Sequence, residues 1–286
     1  MTVDRFPRIT AELVARLEGA AADHVELVLS NMLRAPNNPH GAEVHRFGEA
    51  RAFVLRNTRF LPWANNVRGL SEAQAEDVAA IAALYRSSRL SFRVDVGAAD
   101  LTPKLALALS SARLLAFGHN VTLFGSTCDA TKPVRDGLTL EQVTSEESVA
   151  AYSDVYLRGF DLAAQREKRW TELIERHANP ALDLTLARLS GVAVGIGCLT
   201  LSRGVGYLGP ATTLASHRGQ GIQTALIAHR VARAYARGCA YVVATASFAS
   251  PSHHNLERAG FRVLQTKSLW RPHAPQPRAA LRPGGP

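Results

Sequence analysis

The chain has 286 residues, of which 47% are hydrophobic and 20% are charged, and its formal net charge is +9. This length predicts two domains, and this composition is typical of a soluble protein with buried cores. No apolar run approaches the roughly 18 residues that a transmembrane helix needs, so we expect no membrane partner. Residues 1–135 and 136–270 carry +3 each, and residues 271–286 carry the rest. Charge spread in this way does not predict a nucleic-acid partner.

Neither the start of the chain nor its cysteines indicates export. The opening residues MTVDRFPRITAELV lack a charged segment followed by an apolar run, so we expect no secretory signal. Cys128, Cys198 and Cys239 are far apart and form no Cys-x-x-Cys pair. They predict reduced, buried thiols in a cytoplasmic protein, with a catalytic cysteine as the alternative.

The first half alternates helical and strand patterns. Residues 9–34 predict one long helix or two short ones, ended by the turn sequence APNNPHG. Ser71-Glu72-Ala73-Gln74 is a capping box that opens a second helix, and Thr102-Pro103 opens a third. Strands are expected at residues 43–47, 52–57, 65–70, 92–96 and 120–124, and GSTCDATKP predicts a linker after them.

The second half has a longer series of elements. Thr144 and Glu147 predict a capped helix that ends at Phe160, and QREKRWTELIERH predicts the next helix. The dipeptide Ser190-Gly191 predicts a tight hairpin turn. A third helix is expected from Ile222 to a glycine cap at Gly238, with an apolar side formed by Ile222, Leu226, Val231 and Tyr235. Strands are expected at residues 138–143, 182–189, 192–201, 207–214, 241–246, 262–266 and 268–271.

A glycine-containing turn, Arg218-Gly219-Gln220-Gly221, separates the strand at 207–214 from the helix that follows. The first backbone N–H groups of a helix have no intrahelical partner, and the helix dipole is positive there. Glycines let an anion approach the backbone closely, and Arg218 adds a positive charge. The turn therefore predicts a site for a phosphate or pyrophosphate. A turn without any ligand is the alternative.

The turn and its surroundings resemble the acyl-CoA signature of the GNAT N-acetyltransferase superfamily, [Q/R]-x-x-G-x-[G/A]. Arg218 and Gly221 take its first and fourth places, Gln223 departs from its last, and Gly260-Phe261 matches the Gly-Phe pair that follows in the family. The resemblance implies an α/β fold made of tandem GNAT-like units, each with a central mixed sheet flanked by helices. It places the catalytic domain at residues 136–271, a degenerate GNAT-like domain at residues 1–130, and a disordered tail at residues 272–286.

The resemblance also implies a site for acetyl-CoA between two parallel strands. The backbone around Thr213 would bond the pantetheine and polarise the thioester carbonyl. No metal is implied, and His253-His254 lacks further ligands for one. The residues expected to bind the cosubstrate are Ala211, Thr212, Thr213, Arg218, Gly219, Gln220, Gly221, Ile222, Gln223, Thr224 and Asn255.

The catalytic groups of the family are only partly present. The family's usual acid is a tyrosine four residues before the glycine of Gly-Phe, and this position is Leu256. The usual glutamate is also missing, since VGYLGPATTL contains no acid. Asn255, Ser252 and Tyr207 are the polar groups that could act instead, and His253 or a water chain could supply a base.

The resemblance implies a cytoplasmic N-acetyltransferase that moves an acetyl group directly to a primary amine of a small molecule or peptide. One alternative is a non-catalytic acyl-CoA-binding or regulatory protein, which the missing tyrosine and glutamate favour. Another is a tRNA-dependent aminoacyl transferase of related fold, against which the scattered charge argues. A homodimer is compatible with the sequence.

Overall fold

The computed structural model describes residues 6–57, 64–127 and 135–273. Most of the predicted linker after Phe124, residues 274–286 of the predicted disordered tail and Cys128 lie outside these residues. The first two residues of that predicted tail are ordered, because Pro272 belongs to a strand and His273 N–H donates to Arg113 O. The helices are α1 (Ala11–Arg34), α2 (Val78–Ser87), α3 (Pro103–Ser111), α4 (Glu146–Gly159), α5 (Arg166–His177), α6 (Ile222–Ala236) and α7 (Pro251–Arg258). Short 3-10 turns lie at Glu72–Asp77, Ala163–Gln165 and Ala215–His217.

All the described strands belong to one mixed sheet. They are β1 (Ala42–Phe47), β2 (Ala50–Leu55), β3 (Asn66–Arg68), β4 (Arg93–Gly97), β5 (Leu114–Ser126), β6 (Leu138–Gln142), β7 (Asp183–Leu189), β8 (Val192–Ser202), β9 (Val205–Thr213), β10 (Tyr241–Ser247) and β11 (Arg262–Pro272). Their order across the sheet is β1-β2-β3-β4-β11-β5-β10-β9-β8-β7-β6. The α/β class with a mixed sheet and flanking helices is confirmed.

The two halves of the chain interlock at the centre of this sheet. Strand β11 lies between β4 and β5, and β5 lies between β11 and β10, so each half places its last strand inside the other. Both pairings of β5 are antiparallel, from Tyr241↔Ser126 on one side to Pro272↔Leu114 on the other. The two sheets expected from the sequence are therefore continuous with each other, and the domain boundary remains a prediction.

Several predicted elements differ in detail from those observed. Residues 9–34 contain one helix, which Thr10 caps through a hydrogen bond from Leu13 N–H. Ser145, and not Thr144, caps α4, because its hydroxyl accepts the Ser148 N–H and the Ser148 side chain returns the bond. The two short closing strands expected at 262–266 and 268–271 are one strand, β11, which continues in register through the expected break at Lys267 and shifts register at Val263/Gln265 and Leu269/Trp270.

The apolar side predicted for α6 is also partly wrong. Ile222 and Leu226 are buried, but Tyr235 is 51% exposed and Val231 is half-buried. Val231 follows Leu226 by five residues. Because a helix has 3.6 residues per turn, a residue five positions later does not lie on the same face. The buried face continues instead through Ile227 and Arg230.

The described helices include none with both the length and the apolar character needed to cross a membrane. Helix α1 instead packs on the sheet, and its Glu18 binds two central strands. The Glu18 carboxylate accepts hydrogen bonds from Thr122 of β5 and Gln265 of β11, each at 2.9 Å, and pairs with Lys267 of β11. Burial alone would raise the pKa of Glu18, but the charge of Lys267 and these hydrogen bonds lower it below its ordinary value.

We expect Glu18→Gln to lower the free energy of unfolding by about 2–4 kcal/mol at pH 7, because it leaves the buried Lys267 ammonium without its counter-charge. The folded-state pKa of Glu18 lies below its ordinary value of 4.5. The difference from wild type should thus be full above pH 4.5 and should shrink as the pH falls through the lowered pKa. Urea denaturation at several pH values measures it, with Glu76→Gln on an 89% exposed side chain as control. Equal losses in the two variants would contradict the account.

Candidate functional site

The parallel strands β9 and β10 separate at the centre of the sheet. They pair only from Val205↔Tyr241 to Leu208↔Ala244, although β9 continues to Thr213 and β10 to Ser247. A bulge in β9 explains the separation. Its pairing with β8 shifts register where Gly209 and Pro210 stand opposite Cys198 alone, and such a bulge bends its strand. Pro210 also has no N–H to donate to a neighbouring strand. A gap therefore opens beside residues 209–213.

The fully buried Arg230 of α6 stabilises this bulge. Its Nη1 donates to the carbonyl oxygens of Cys198 at 3.2 Å and Gly209 at 3.3 Å, and its Nε donates to Leu226 O at 3.0 Å. A side chain at Gly197 would place its Cβ 2.9 Å from Arg230 Nε, so the glycine leaves room for the guanidinium. Burial lowers the pKa of Arg230 to about 10, and it remains charged at neutral pH.

The glycine turn lies at the start of α6, next to the gap. Gly219 and Gly221 have positive φ angles of 73° and 77°, and no other atom lies within 4 Å of where a Cβ would be at either position. Gly221 is the N-cap, and no side chain caps the helix. The first intrahelical acceptor is Gly221 O, bonded to Ala225 N–H, so the amides of Ile222, Gln223 and Thr224 precede the hydrogen-bond ladder. The turn is open enough for an anion on these amides.

Two arginines flank the turn. Arg218 is exposed, and its Nε donates to Thr213 O at 3.4 Å, which places its side chain against the end of β9. Arg135 donates to the Gln220 side chain at 2.9 Å and adds a second exposed charge. The sequence offered no signal for Arg135, because it precedes the turn by more than 80 residues and follows the predicted linker.

The edge of β9 that borders the gap carries backbone donors. Leu214 N–H donates to Val194 O of β8 at 2.9 Å. Because N–H directions alternate along a strand, the N–H groups of Ala211 and Thr213 point away from β8, toward the gap. The side chain of Thr212 is bound to Gly159 O at 3.2 Å. The buried hydroxyls of Thr213 and, on β10, Thr245 have no hydrogen-bond partner among the described residues.

A cavity of about 600 Å³ includes the gap and extends to α1, α4 and α5. Of the expected cosubstrate residues, Ala211 and Gln223 line it, and of the expected catalytic residues, Tyr207 and Ser252 line it. Asn255 does not line it, and its side-chain oxygen accepts a hydrogen bond from Arg258.

The wall formed by α7 contains Leu256 at the position of the family's tyrosine. Leu256 is 5% exposed and lines the cavity. Ser252 precedes it by four residues, which places the two side chains on one face of the helix. His253, named above as a possible base, is buried, and its Nδ1 accepts the Ala249 N–H at 3.0 Å, whereas His254 is exposed. Ser252 is thus the hydroxyl that α7 offers to the cavity.

His24 of α1, which the sequence did not single out, lies on the opposite wall. Its ring stacks on Tyr207 with centroids 4.4 Å apart, and its Nδ1 lies 3.0 Å from the Thr200 hydroxyl. A Cβ on Gly209 would lie 2.6 Å from this ring, so the bulge glycine makes room for it. Burial, followed by the charges of Arg68 and Arg176, lowers the pKa of His24 to about 3. The imidazole is therefore neutral at physiological pH.

The described cysteines are not suited to nucleophilic catalysis. Cys198 and Cys239 are free and buried, and burial raises the pKa of Cys198 to about 12 and that of Cys239 above its ordinary value. A thiol with a raised pKa carries little thiolate at neutral pH. Within the described ranges, no three His, Cys, Asp or Glu side chains form a group that could hold a metal ion.

Residues 146–261 match the family model described as "Acetyltransferase (GNAT) family". This segment runs from the start of α4 to the residue before β11, and includes the gap, the glycine turn and α7. The sequence has no significant match among curated proteins.

Solved structures of similar fold cover nearly the whole chain. A GCN5-related N-acetyltransferase from Kribbella flavida is 16% identical with a TM-score of 0.64, over 90% of this chain and 97% of that one. One from Sphaerobacter thermophilus is 16% identical with a TM-score of 0.56, over 95% and 96%. A tandem GNAT protein from the clavulanic acid biosynthesis pathway is 15% identical with a TM-score of 0.58, over 89% and 96%. At these identities the likeness is one of fold.

Proposed function

Since residues 146–261 carry a domain of the acetyltransferase (GNAT) family, we propose that this protein is an acetyl-CoA-dependent N-acetyltransferase that acts on a primary amine. The observation that carries the proposal is that the β9–β10 gap and the start of α6 border one cavity, which Ala211 and Gln223 line, and that the open glycine turn lies directly before this part of α6. The turn suits the pyrophosphate of acetyl-CoA, and the gap suits its pantetheine arm.

The chain's own groups have distinct tasks in this proposal. The amides of residues 221–224 and the charge of Arg218 bind the pyrophosphate. The edge N–H groups of Ala211 and Thr213 hold the pantetheine and polarise the thioester carbonyl, because they point into the gap. The unpartnered hydroxyls of Thr213 and Thr245 supply further polar contacts along the strands that border the gap.

Transfer then takes place within one ternary complex. The neutral amine nitrogen attacks the thioester carbonyl, the C–S bond breaks, the nitrogen loses a proton to water, and the CoA thiolate takes one up. His24 is a poor base, since its pKa is about 3. The thiolate takes up a proton from water that is relayed through the hydroxyl of Ser252 or Tyr207, the two hydroxyls of the expected set that line the cavity.

We expect acetyl-CoA to bind the wild type and Gly221→Glu to weaken binding at least tenfold, which is about 1.4 kcal/mol. The new carboxylate would repel the pyrophosphate and occupy its place. Isothermal titration calorimetry measures the affinity.

The matched control for this variant is Gly238→Glu, at the other end of the same helix. Gly238 also has a positive φ, 73°, and open space around it, so the control has the same backbone strain and the same added charge. Its affinity should equal that of the wild type. No binding of acetyl-CoA by the wild type, or equal weakening in both variants, would overturn the proposal.

Three single variants test the catalytic assignments in a thiol-release assay. Ser252→Ala and Tyr207→Phe should each lower kcat at least about tenfold, because each removes a hydroxyl from the cavity wall. Asn255→Ala should stay within about twofold of wild type, because its side chain faces Arg258 and not the cavity.

A larger loss of kcat in Asn255→Ala than in Ser252→Ala and Tyr207→Phe would refute this assignment of roles. Binding of acetyl-CoA without transfer to any amine would favour the alternative of a non-catalytic acyl-CoA-binding protein, which the leucine at position 256 makes a specific rival.

A further inference from the structure

The part of the cavity away from the glycine turn is strongly cationic. The charged side chains that line the cavity among the described residues are all arginines, and no described aspartate or glutamate lines it. These five arginines come from four different elements, namely Arg68 of β3, Arg93 of β4, Arg169 and Arg176 of α5, and Arg230 of α6. Arg230 is committed to the β9 bulge, so the other four define a surface that we call the arginine wall.

Arg68 of the arginine wall has hydrogen-bonding capacity left over. Its Nη2 lies 3.6 Å from Asp95, and its Nε donates to Asn66 at 3.2 Å. Its Nη1 is buried and has no hydrogen-bond partner among the described residues. Asp95 is shared, because Arg93 binds both of its carboxylate oxygens, at 2.6 and 3.1 Å. One carboxylate therefore faces two guanidinium groups. Glu18 also interacts electrostatically with Arg68, but its carboxylate is paired with Lys267, so positive charge remains at Arg68 and Arg93.

Helix α5 contributes the other side of the arginine wall. Arg169 and Arg176 are seven residues apart, two turns along one face, and both are buried. Arg176 lies over the ring of Tyr156, 4.8 Å from its centroid, and its Nη1 is 4.0 Å from one carboxylate oxygen of Glu172. Glu172 itself does not line the cavity. The α5 side thus also presents positive charge to the interior.

The positive electrostatic potential of the arginine wall extends to His24 and Tyr207, beside the proposed site of acetyl transfer. Arg68 and Arg176 both contribute to the low pKa of His24, and Arg68 interacts electrostatically with Tyr207. An ammonium group placed here would be repelled and would lose its proton more readily, which favours the nucleophilic free amine. A purely cationic acceptor would bind poorly for the same reason. The remaining positive charge of the arginine wall favours an acceptor that carries an anionic group.

We propose that the acceptor is a primary amine that bears a carboxylate on an apolar body, as an apolar amino acid does, and that Arg68 binds this carboxylate. The inference rests on the proposed acetyltransferase function and names the substrate class of the same cavity. The planar guanidinium fork matches a carboxylate, and Nη1 of Arg68 has no other partner among the described residues. The apolar body fits the adjoining side chains of Tyr156, Phe160, Leu162 and Leu182, which also line the cavity.

The test uses matched pairs of acceptors that differ only in the carboxylate: phenylalanine with 2-phenylethylamine, tyrosine with tyramine, and leucine with isoamylamine. Each is measured for turnover with acetyl-CoA and for binding to the CoA-loaded protein. In at least one pair, the amino acid should exceed its decarboxylated partner about 10- to 100-fold in kcat/KM. Spermidine should not react.

Variants of Arg68 separate recognition from folding. Arg68→Gln should abolish the preference for the amino acid over its decarboxylated amine and should leave the affinity for acetyl-CoA unchanged. Arg68→Lys should retain part of this preference. Arg237→Gln, at an exposed arginine away from the cavity, is the control and should preserve the full preference. A merely structural defect would lower both members of a pair equally, and this result would overturn the role of Arg68.

The remaining outcomes are distinct from failure of the proposed function. If acetyl-CoA binds and the decarboxylated amines react as well as the amino acids, or if no amino acid binds or reacts, the inference is wrong while the cosubstrate site stands. If only O-phosphoethanolamine reacts, the arginine wall recognises phosphate and the carboxylate assignment is wrong. If acetyl-CoA itself does not bind, the proposed function fails first.

Discussion

The whole site depends on the early end of one strand pairing. Strands β9 and β10 are hydrogen-bonded over four residue pairs and then diverge, so backbone donors of β9 that a regular sheet would consume are left facing a cavity. The bulge at Gly209-Pro210 causes this divergence, and the buried Arg230 satisfies the carbonyls that the bulge displaces. A buried cation bound to carbonyls alone is costly to desolvate. Its hydrogen bonds to three carbonyl oxygens offset part of this cost, and the bulge that they stabilise keeps the sheet open at one place.

Positive charge is arranged differently at the two ends of the cavity. At the start of α6 it comes from backbone amides and from exposed arginines, where salt and solvent screen it. On the α5 side it comes from buried guanidinium groups that line the cavity. The first arrangement suits a large, soluble anion that enters and leaves. The second suits a small ligand that is enclosed and must match the charge closely.

The strand, glycine turn and helix around residues 207–236 could be predicted from sequence because their signals are local. The glycines at positions 219 and 221, the strand before them and the helix after them lie within a few residues of each other. The arginine wall could not be predicted, because β3, β4 and α5 meet only through the order of the sheet. The interlocking of β5 and β11 could not be predicted for the same reason. The hydrophobic periodicity of a strand does not indicate which strand of the other half of the chain it pairs with. One signal was available: Arg169 and Arg176, two turns apart on a predicted helix with Glu172 between them, share a face that a packed helix would bury.

The central claim is that acetyl-CoA lies in the gap between β9 and β10, with its pyrophosphate on the glycine turn. Hydrogen–deuterium exchange of the wild-type protein, with and without saturating acetyl-CoA, tests it most directly. The account predicts slower exchange in peptides that cover residues 209–224 and 245–252, with peptides from β1 and β2 unchanged. Saturating acetyl-CoA with no protection in residues 209–224, or protection centred elsewhere on the chain, would contradict it.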